Sequence, residues 1–147
     1  MSGSLESSAI RRLAVRDSLT NAFTRPYFLN LLAAEARFAL DMGKPFAVCL
    51  IDIDQLRKIN EHAGITRGDS LLAGVAETVR STLDRPQWHN LRCLLGRYDG
   101  DSLMLLLPGC RLQRAEAFAH TLRKRIAQPD DDGYSVTASL AVAAFKA

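Results

Sequence analysis

Residues 95–108 read LGRYDGDSLMLLLP and decide the fold prediction. Two apolar runs, residues 91–98 and 103–107, flank an Asp99-Gly100 pair. Asp-Gly between two β-rich runs predicts a hairpin with a type I′ turn, because that turn needs positive φ values that glycine adopts freely. Asp101 adds a second carboxylate beside the glycine. The tip is therefore either a solvated turn or a metal or phosphate site.

The segments around this hairpin alternate between helical and strand patterns. Apolar spacing and helix-compatible composition predict helices over residues 28–43, 55–61, 68–83 and 112–127. Strands are predicted over residues 45–54 and 134–145, and the first is expected to be buried on both faces because its apolar run is nearly continuous. This order predicts an α+β sandwich with a largely antiparallel sheet and helices packed on it.

Length and composition limit the class of protein. The chain has 147 residues and is expected to form one domain, residues 17–147, after a leader and an N-terminal linker helix at residues 1–16. The net charge of +3 is too small, and the Lys and Arg residues too scattered, to indicate nucleic-acid binding. No apolar run approaches the ~18–20 residues of a membrane helix, so this segment is expected to make no membrane contact.

The three cysteines, Cys49, Cys93 and Cys110, fit neither a CxxC motif nor the spacing of a zinc site. The first two lie in strand-like apolar runs, so we expect buried, reduced thiols. This use of cysteine is typical of a cytoplasmic protein.

Two acids close the apolar run at residues 45–54. Asp52 and Asp54 are two residues apart and project to one side of the strand if it continues that far. If this strand neighbours the one that begins after Asp101, the carboxylates of Asp52 and Asp101 converge on one edge. Hard oxygen ligands of this kind suit Mg²⁺, with phosphate oxygens completing its coordination shell.

Three segments, in order and at the expected spacing, resemble the motifs of the GGDEF family, the diguanylate cyclases. Residues 52–72 resemble D-x-D-x-F-K-x-I-N-D-x-x-G-H-x-x-G-D-x-x-L, with matches at Asp52, Asp54, Ile59, Asn60, Gly64, Gly68, Asp69 and Leu72. Residues 17–28 resemble D-x-L-T-G-L-x-N-R-x-x-F, with matches at Asp17, Leu19, Thr20, Arg25 and Phe28. Residues 97–103 resemble R-Y/F-G-G-D/E-E-F, with matches at Arg97, Tyr98, Gly100 and Asp101.

The resemblance implies a ferredoxin-like fold of the nucleotidyl-cyclase type and a nucleotide site. It assigns Mg²⁺ to Asp52 and Asp101, but only when a nucleotide binds. It assigns the guanine base to Asn60 and Asp69, whose side chains offer suitable donors and acceptors. From the residues alone, Asn60 could instead cap its helix, and Asp69 could lie in a first helical turn, where the dipole favours an acid.

Departures from the motifs cluster where catalysis would occur. Ser102 stands at the Glu position and cannot replace a carboxylate as metal ligand or proton acceptor at neutral pH. Asp99 stands at the first glycine, beside Gly100 in the segment that the resemblance assigns to nucleotide binding. It adds bulk and negative charge next to the phosphates. Leu103 stands where the hairpin motif has phenylalanine. Leu56 and Arg57 are milder changes, and Glu61 and Ile65 erode the motif further.

Two further family features have no counterpart in the sequence. The product-inhibition motif R-x-x-D corresponds to residues 90–93, which read NLRC. The closing helix, which carries phosphate-binding Lys and Arg residues, would follow Phe145, where the chain stops. The resemblance therefore implies a truncated or reduced domain without the C-terminal helix.

These observations predict a catalytically inactive GGDEF domain that acts as a regulatory or protein-interaction module in a cyclic di-GMP signalling protein. The resemblance implies an adjacent EAL-type phosphodiesterase or other effector domain, GTP or cyclic di-GMP as ligands, and a homodimer. Two alternatives stay open. One is a GTP-binding sensor without turnover, favoured by Asn60 and Asp69; the other is an active cyclase that converts two GTP to cyclic di-GMP, opposed by Ser102 and Asp99.

Overall fold

The computed structural model describes residues 15–146, which form one sheet with helices on both faces. The strands are β1 (Phe46–Ile53), β2 (Leu94–Asp99), β3 (Ser102–Pro108) and β4 (Ala138–Phe145). The helices are α1 (Arg25–Met42), α2 (Leu56–Ala63), α3 (Ile65–Leu83) and α4 (Leu112–Ile126), with a 3₁₀ turn at Pro86–Trp88. The strand order is β2-β3-β1-β4 and every pair is antiparallel, as in ferredoxin-like folds. The predicted α+β sandwich is confirmed.

The ends of several elements differ from the sequence prediction. α1 begins at Arg25, directly after Thr24, where Pro26 is expected to lie near the first helical position and supplies the fixed φ of the first turn. α3 begins at Ile65 directly after Gly64, whose φ of 89° separates it from α2. β4 begins later than predicted because residues 130–134 close a tight turn, in which the N–H of Tyr134 donates to the Asp130 carboxylate at 2.8 Å.

The predicted N-terminal helix at residues 5–16 lies almost wholly outside the described residues. The two residues of it that are described, Val15 and Arg16, form a turn and a bridge to Phe23 rather than a helix. Asn21 has the left-handed conformation expected at the turn glycine of the motif, with a φ of 57°.

β1 lies at the centre of the sheet, and its burial alternates along the strand. Ala47, Cys49, Ile51 and Ile53 are buried in one core with residues of α3 and α4. The opposite side chains are half-buried, apart from the exposed Asp52, so the prediction of full burial on both faces is wrong. The reason is that α1 packs on that face chiefly over β2.

α1 packs closely against β2 at Gly96, which has no side chain. The side chain of Phe28 is buried against Gly96, where an added Cβ would lie 2.4 Å from the ring. Glycine is therefore required at this crossing, because any larger residue would displace the helix or the ring.

The hairpin is present, but its turn is not the predicted one. Asp99 pairs with Ser102, and the register shifts between Arg97 and Asp99. The two turn residues are therefore Gly100 and Asp101, one position later than expected. Positive φ occurs at neither Asp99 nor Gly100, so the type I′ prediction is wrong. The bulge provides the local bend that the sequence pattern attributed to the turn.

The predicted burial of the cysteines is confirmed for Cys49 and is only partial for Cys93. All three cysteines are free; Cys49 and Cys110 are buried, and Cys93 is half-buried. Burial raises the pKa of the Cys49 thiol to about 12. Within residues 15–146, no helix is long and apolar enough to cross a membrane.

Candidate functional site

Acidic side chains meet where β1 ends beside the hairpin. The register places Asp52 opposite Ser102 of β3, and the N–H of Ile53 donates to the carbonyl of Asp101 at 3.0 Å. Partial burial and the nearby carboxylates of Asp101, Asp54 and Asp99 raise the pKa of Asp52. The strand that ends at Asp52 and Ile53 therefore neighbours the strand that begins after Asp101, which was the condition for the convergence of Asp52 and Asp101.

This arrangement fits a cation that is shared with a ligand. The donors near Asp52 are carboxylates, which are the hard ligands that Mg²⁺ prefers, and their mutual repulsion would be relieved by a cation. Over residues 15–146, however, no group of three or more His, Cys, Asp or Glu side chains is placed to hold a metal alone. Oxygen atoms of a bound phosphate or water would have to complete the site.

Ser102 is an uncharged residue at this acidic end of the sheet. It is 5% exposed and lies directly across from Asp52 in the β1–β3 register. A carboxylate at this position would be the next ligand beside Asp52. The neutral hydroxyl leaves that position without a charge at neutral pH.

The Asp54 carboxylate is hydrogen-bonded to residues at the start of β4. Its carboxylate accepts hydrogen bonds from the hydroxyls of Thr137 and Ser139, both at 2.8 Å, and its N–H donates to the Thr137 carbonyl at 2.9 Å. Sequence reasoning missed both hydroxyl residues. Their spacing of two along a strand places them on one face, but only the β1–β4 register shows that Asp54 lies opposite.

Asn60 and Asp69 lie on two helices that meet at a turn. The Oδ1 atom of Asn60 is buried and has no hydrogen-bond partner among the described residues. It packs against Gly68, where an added Cβ would lie only 1.6 Å from that oxygen. Asp69 follows directly, so the structure brings both predicted base contacts to the α2–α3 junction.

The structure does not support the two alternative roles of these residues, which were a helix cap for Asn60 and a first-turn position for Asp69. Asn60 lies inside α2, which ends at Ala63 with Gly64 as its C-cap, so Asn60 does not occupy the cap position. Asp69 lies in the second turn of α3, because the helix begins at Ile65 and its first turn carries no acid. A buried acceptor without a donor is destabilising by about 1–3 kcal/mol, and a ligand that donates to it would remove this cost.

The hairpin tip is tied to the start of α1. Asp99 forms an ion pair with Arg25 at 3.2 Å, and the Arg25 guanidinium lies 4.2 Å from the centre of the Tyr98 ring. Gly100 lies in the adjacent turn, with its carbonyl 3.4 Å from an Nη of Arg97. The Asp99 charge is therefore already paired within the chain, which the sequence could not show.

A second ion pair fixes the loop that precedes α1. Arg97 contacts Asp17 at 3.0 Å, and the Asp17 carboxylate also accepts from the N–H and the hydroxyl of Thr20 at 3.0 and 2.7 Å. Partial burial raises the pKa of Asp17, but the hydrogen bonds from Thr20 and Arg97 outweigh it, so the net pKa is lowered. These contacts hold two of the motif segments, residues 17–28 and 97–103, together.

Comparison with known proteins gives one family. The family model described as diguanylate cyclase, GGDEF domain, matches residues 14–146. The chain is 32% identical over 116 residues to a probable diguanylate cyclase, DgcT, of Escherichia coli, covering 79% of this chain and 24% of that protein. It is 30% identical over 118 residues to the bifunctional diguanylate cyclase/cyclic di-GMP phosphodiesterase MucR of Pseudomonas aeruginosa, covering 80% of this chain and 16% of that protein.

A solved structure shows the same architecture. Diguanylate cyclase SiaD of Pseudomonas aeruginosa, crystallised in complex with its activator SiaC, superposes with a TM-score of 0.79 at 26% identity. The match covers 98% of this chain and 57% of that chain. The present chain thus spans a quarter or less of the length of the two curated relatives named above.

Proposed function

This chain belongs to the GGDEF family, and from that membership we propose that it is a catalytically inactive domain with a regulatory or protein-docking role in cyclic di-GMP signalling. The proposal rests on Ser102. It lies opposite Asp52 where the family motif has a glutamate, and a serine hydroxyl supplies neither a metal ligand of negative charge nor a proton acceptor.

The hairpin contacts support the same conclusion. Asp99 stands where the motif has glycine and forms an ion pair with Arg25 across the loop. The pair places the Asp99 side chain at the tip that would approach a triphosphate, and the Arg25 guanidinium offsets its charge. The bulk of this side chain, where the motif has glycine, hinders close approach of phosphate oxygens at this point.

A second candidate, a GTP sensor without turnover, rests on the buried oxygen of Asn60. Its missing donor matches the amino group of guanine, and the Asp69 carboxylate can accept from the same base edge. Mg²⁺ would then be held by Asp52 and Asp101 together with phosphate oxygens, which supply the remaining ligands. Affinity would come from the base contacts, because the Asp99 side chain hinders phosphate approach on the hairpin side of the site.

The regulatory role implies a neighbour or partner. One relative is named as a bifunctional cyclase and phosphodiesterase, and one structural neighbour is a cyclase bound to an activator protein. From these two proteins we infer that the domain acts on an adjacent phosphodiesterase-type or effector domain, or on a separate protein. A second copy of the chain is the further partner to be tested.

Two experiments separate these functions. The purified chain incubated with GTP and Mg²⁺ is expected to form no cyclic di-GMP, and product formation that Asp52→Asn abolishes would overturn the inactive assignment. Calorimetric titration with GTP, and separately with cyclic di-GMP, then decides between sensor and docking module. GTP binding that is lost in Asn60→Ala and Asp69→Ala establishes the sensor, and no binding leaves the docking role.

A further inference from the structure

Residues 130–139, which lead into β4, contact the chain on both sides of α2. Before α2, the N–H and the carboxylate of Asp54 are hydrogen-bonded to this segment. After α2, Arg67 in the first turn of α3 forms an ion pair with Asp132 of the same segment at 3.0 Å. The stretch 54–67, which contains α2, is therefore attached at both ends to one segment.

α2 has few core contacts of its own. Of its eight residues, all of which the structure describes, Leu56 alone is buried, and Ile59 is partly buried against the core. The residues at its two ends, Gln55 and Gly64, have φ values of 59° and 89°, so a sharp turn bounds the helix on each side. The position of Asn60 within α2 therefore depends strongly on what holds the two ends of this stretch.

Three side chains of the segment converge on the Arg67 guanidinium. Besides the Asp132 carboxylate, an oxygen of Asp130 lies 3.9 Å from the same Nη atom, and the centre of the Tyr134 ring lies 4.1 Å from Cζ. A single ion pair at the surface contributes little to stability, because its two side chains must be ordered to form it. Here several partners share one guanidinium that is 25% exposed, which makes the contact a network rather than an isolated pair.

The turn that carries these partners is closed by its own hydrogen bonds. The Asp130 carboxylate accepts from the N–H groups of Asp132 and Tyr134 at 3.0 and 2.8 Å, and the Asp130 N–H donates to the Tyr134 carbonyl at 2.7 Å. These bonds fix the backbone of the turn without any help from Arg67. Pairing with Arg67 therefore costs less conformational entropy than pairing with a mobile loop would.

Arg67 directly precedes the residues that form the base-binding side of the candidate site. The next two residues of α3 are Gly68, which packs on the Asn60 oxygen, and Asp69. Because consecutive residues of a helix move together, a displacement of Arg67 would also displace Gly68 and Asp69. Hydrogen bonds to one base edge require the protein groups to be held within about 0.5 Å of their positions. The contacts of Arg67 with residues 130–134 meet this requirement at the α2–α3 junction.

We propose that Arg67 is a positioning residue for the base-binding side of the nucleotide site. It acts through residues 130–139, which fix the α2–α3 junction and so keep Asn60 and Asp69 at the separation that guanine requires. This inference rests on the GTP-sensor function proposed above. It adds that the selectivity for guanine, and not only the affinity, depends on the contact between Arg67 and Asp132.

Hydrogen exchange of the full chain without nucleotide tests whether Arg67 holds the junction. Arg67→Gln loses the ion pair, so the amides of α2 are expected to exchange about tenfold faster or more, while those of β1 stay unchanged. Arg67→Lys keeps the charge and is expected to retain most of the protection. The matched control is Asp131→Asn, which removes one carboxylate from the same turn. Asp131 is exposed and makes no hydrogen bond or ion pair within residues 15–146, so this variant should exchange like the wild type.

Nucleotide binding tests whether the junction serves the base. GTP and ITP differ in one group, the 2-amino group of guanine, which ITP lacks and which would donate to the Asn60 oxygen. With Mg²⁺ present, we expect the wild type to prefer GTP over ITP by about tenfold or more, and Arg67→Gln to reduce this preference to about threefold or less. A general loss of stability would weaken both ligands equally, so the ratio of the two dissociation constants separates positioning from a structural role.

The two measurements distinguish failure of this proposal from failure of the sensor function. If the wild type binds neither GTP nor ITP, the sensor function is wrong, and the role of Arg67 in base binding is wrong with it. If the wild type prefers GTP but Arg67→Gln leaves either the α2 exchange or the GTP preference unchanged, the positioning proposal alone is overturned. If Arg67→Gln fails to fold by circular dichroism, Asp132→Asn removes the partner instead and decides the same comparison.

Discussion

Replacing Gly96 by alanine tests how closely α1 is seated on the sheet. An ideal Cβ at this position would lie 2.4, 2.5 and 2.8 Å from the Cγ, Cδ2 and Cβ atoms of Phe28. Carbon atoms prefer separations of about 3.5–4.0 Å, so Phe28 or α1 must move by roughly 1 Å. Phe28 is 1% exposed, so it is fully enclosed by other residues. Overpacking of this kind costs about 1–3 kcal/mol.

The assay is urea unfolding of Gly96→Ala beside Gly100→Ala, a change in the same hairpin where nothing lies within 4 Å of the added Cβ. Both variants lose the same glycine freedom in the unfolded chain, so their difference isolates the contact with Phe28. With a slope of about 2 kcal/mol per M, the Gly96→Ala midpoint should fall about 0.5–1.5 M below that of Gly100→Ala. Equal midpoints would refute the close-contact argument.

A double variant gives an independent check. Phe28→Val alone creates a cavity, but in the Gly96→Ala background the smaller side chain also relieves the clash. The two changes should therefore be non-additive by about 1 kcal/mol or more. Additive effects would show that α1 and β2 are not in direct contact through these two residues.

Three other predictions follow from the contacts described above. Asp17→Asn should cost about 1–2 kcal/mol at pH 7, because the carboxylate accepts from Thr20 and pairs with Arg97. Since the folded-state pKa of Asp17 is lowered, its stabilisation is present above the ordinary value of 3.8 and is lost as pH falls below it, so urea midpoints of wild type and variant should converge in acid. Thr137→Val should speed hydrogen exchange at the start of β4, because Asp54 loses one of two hydroxyl donors; unchanged exchange would contradict that role. Cys49, whose pKa burial raises to about 12, should resist alkylation at pH 8 until the chain unfolds, and labelling of the native protein would show that the strand is accessible.

Local sequence patterns predict which helices and strands form, but not the contacts between them. The hairpin follows from Asp-Gly between two apolar runs, yet the register shift between Arg97 and Asp99 moves the turn to Gly100 and Asp101. That shift depends on how β2 pairs with β3, which no local signal records. The pattern predicts a helix only from residue 68, whereas α3 begins at Ile65, because Gly64 alone separates two consecutive helices.

The sequence predicts some features of the candidate site and not others. The convergence of Asp52 and Asp101 required only that their strands be neighbours, and the sheet order meets that condition. The ion pair of Asp99 with Arg25 joins residues far apart in the chain, so the sequence could name the departure at Asp99 but not its partner. The buried oxygen of Asn60 depends on packing against Gly68, which is likewise invisible before folding.

The sheet order has a consequence for how the protein folds during synthesis. β1 emerges first of the four strands, but its neighbours are β3 and, at the end of the described chain, β4, with Phe46 paired to Phe145. Only β2 and β3 form a local hairpin, which closes within about microseconds. The central strand must therefore wait for the most distant one, and high contact order of this kind slows folding. Until β4 arrives, Asp54 lacks its anchor and the apolar edge of β1 stays open to aggregation and to chaperones.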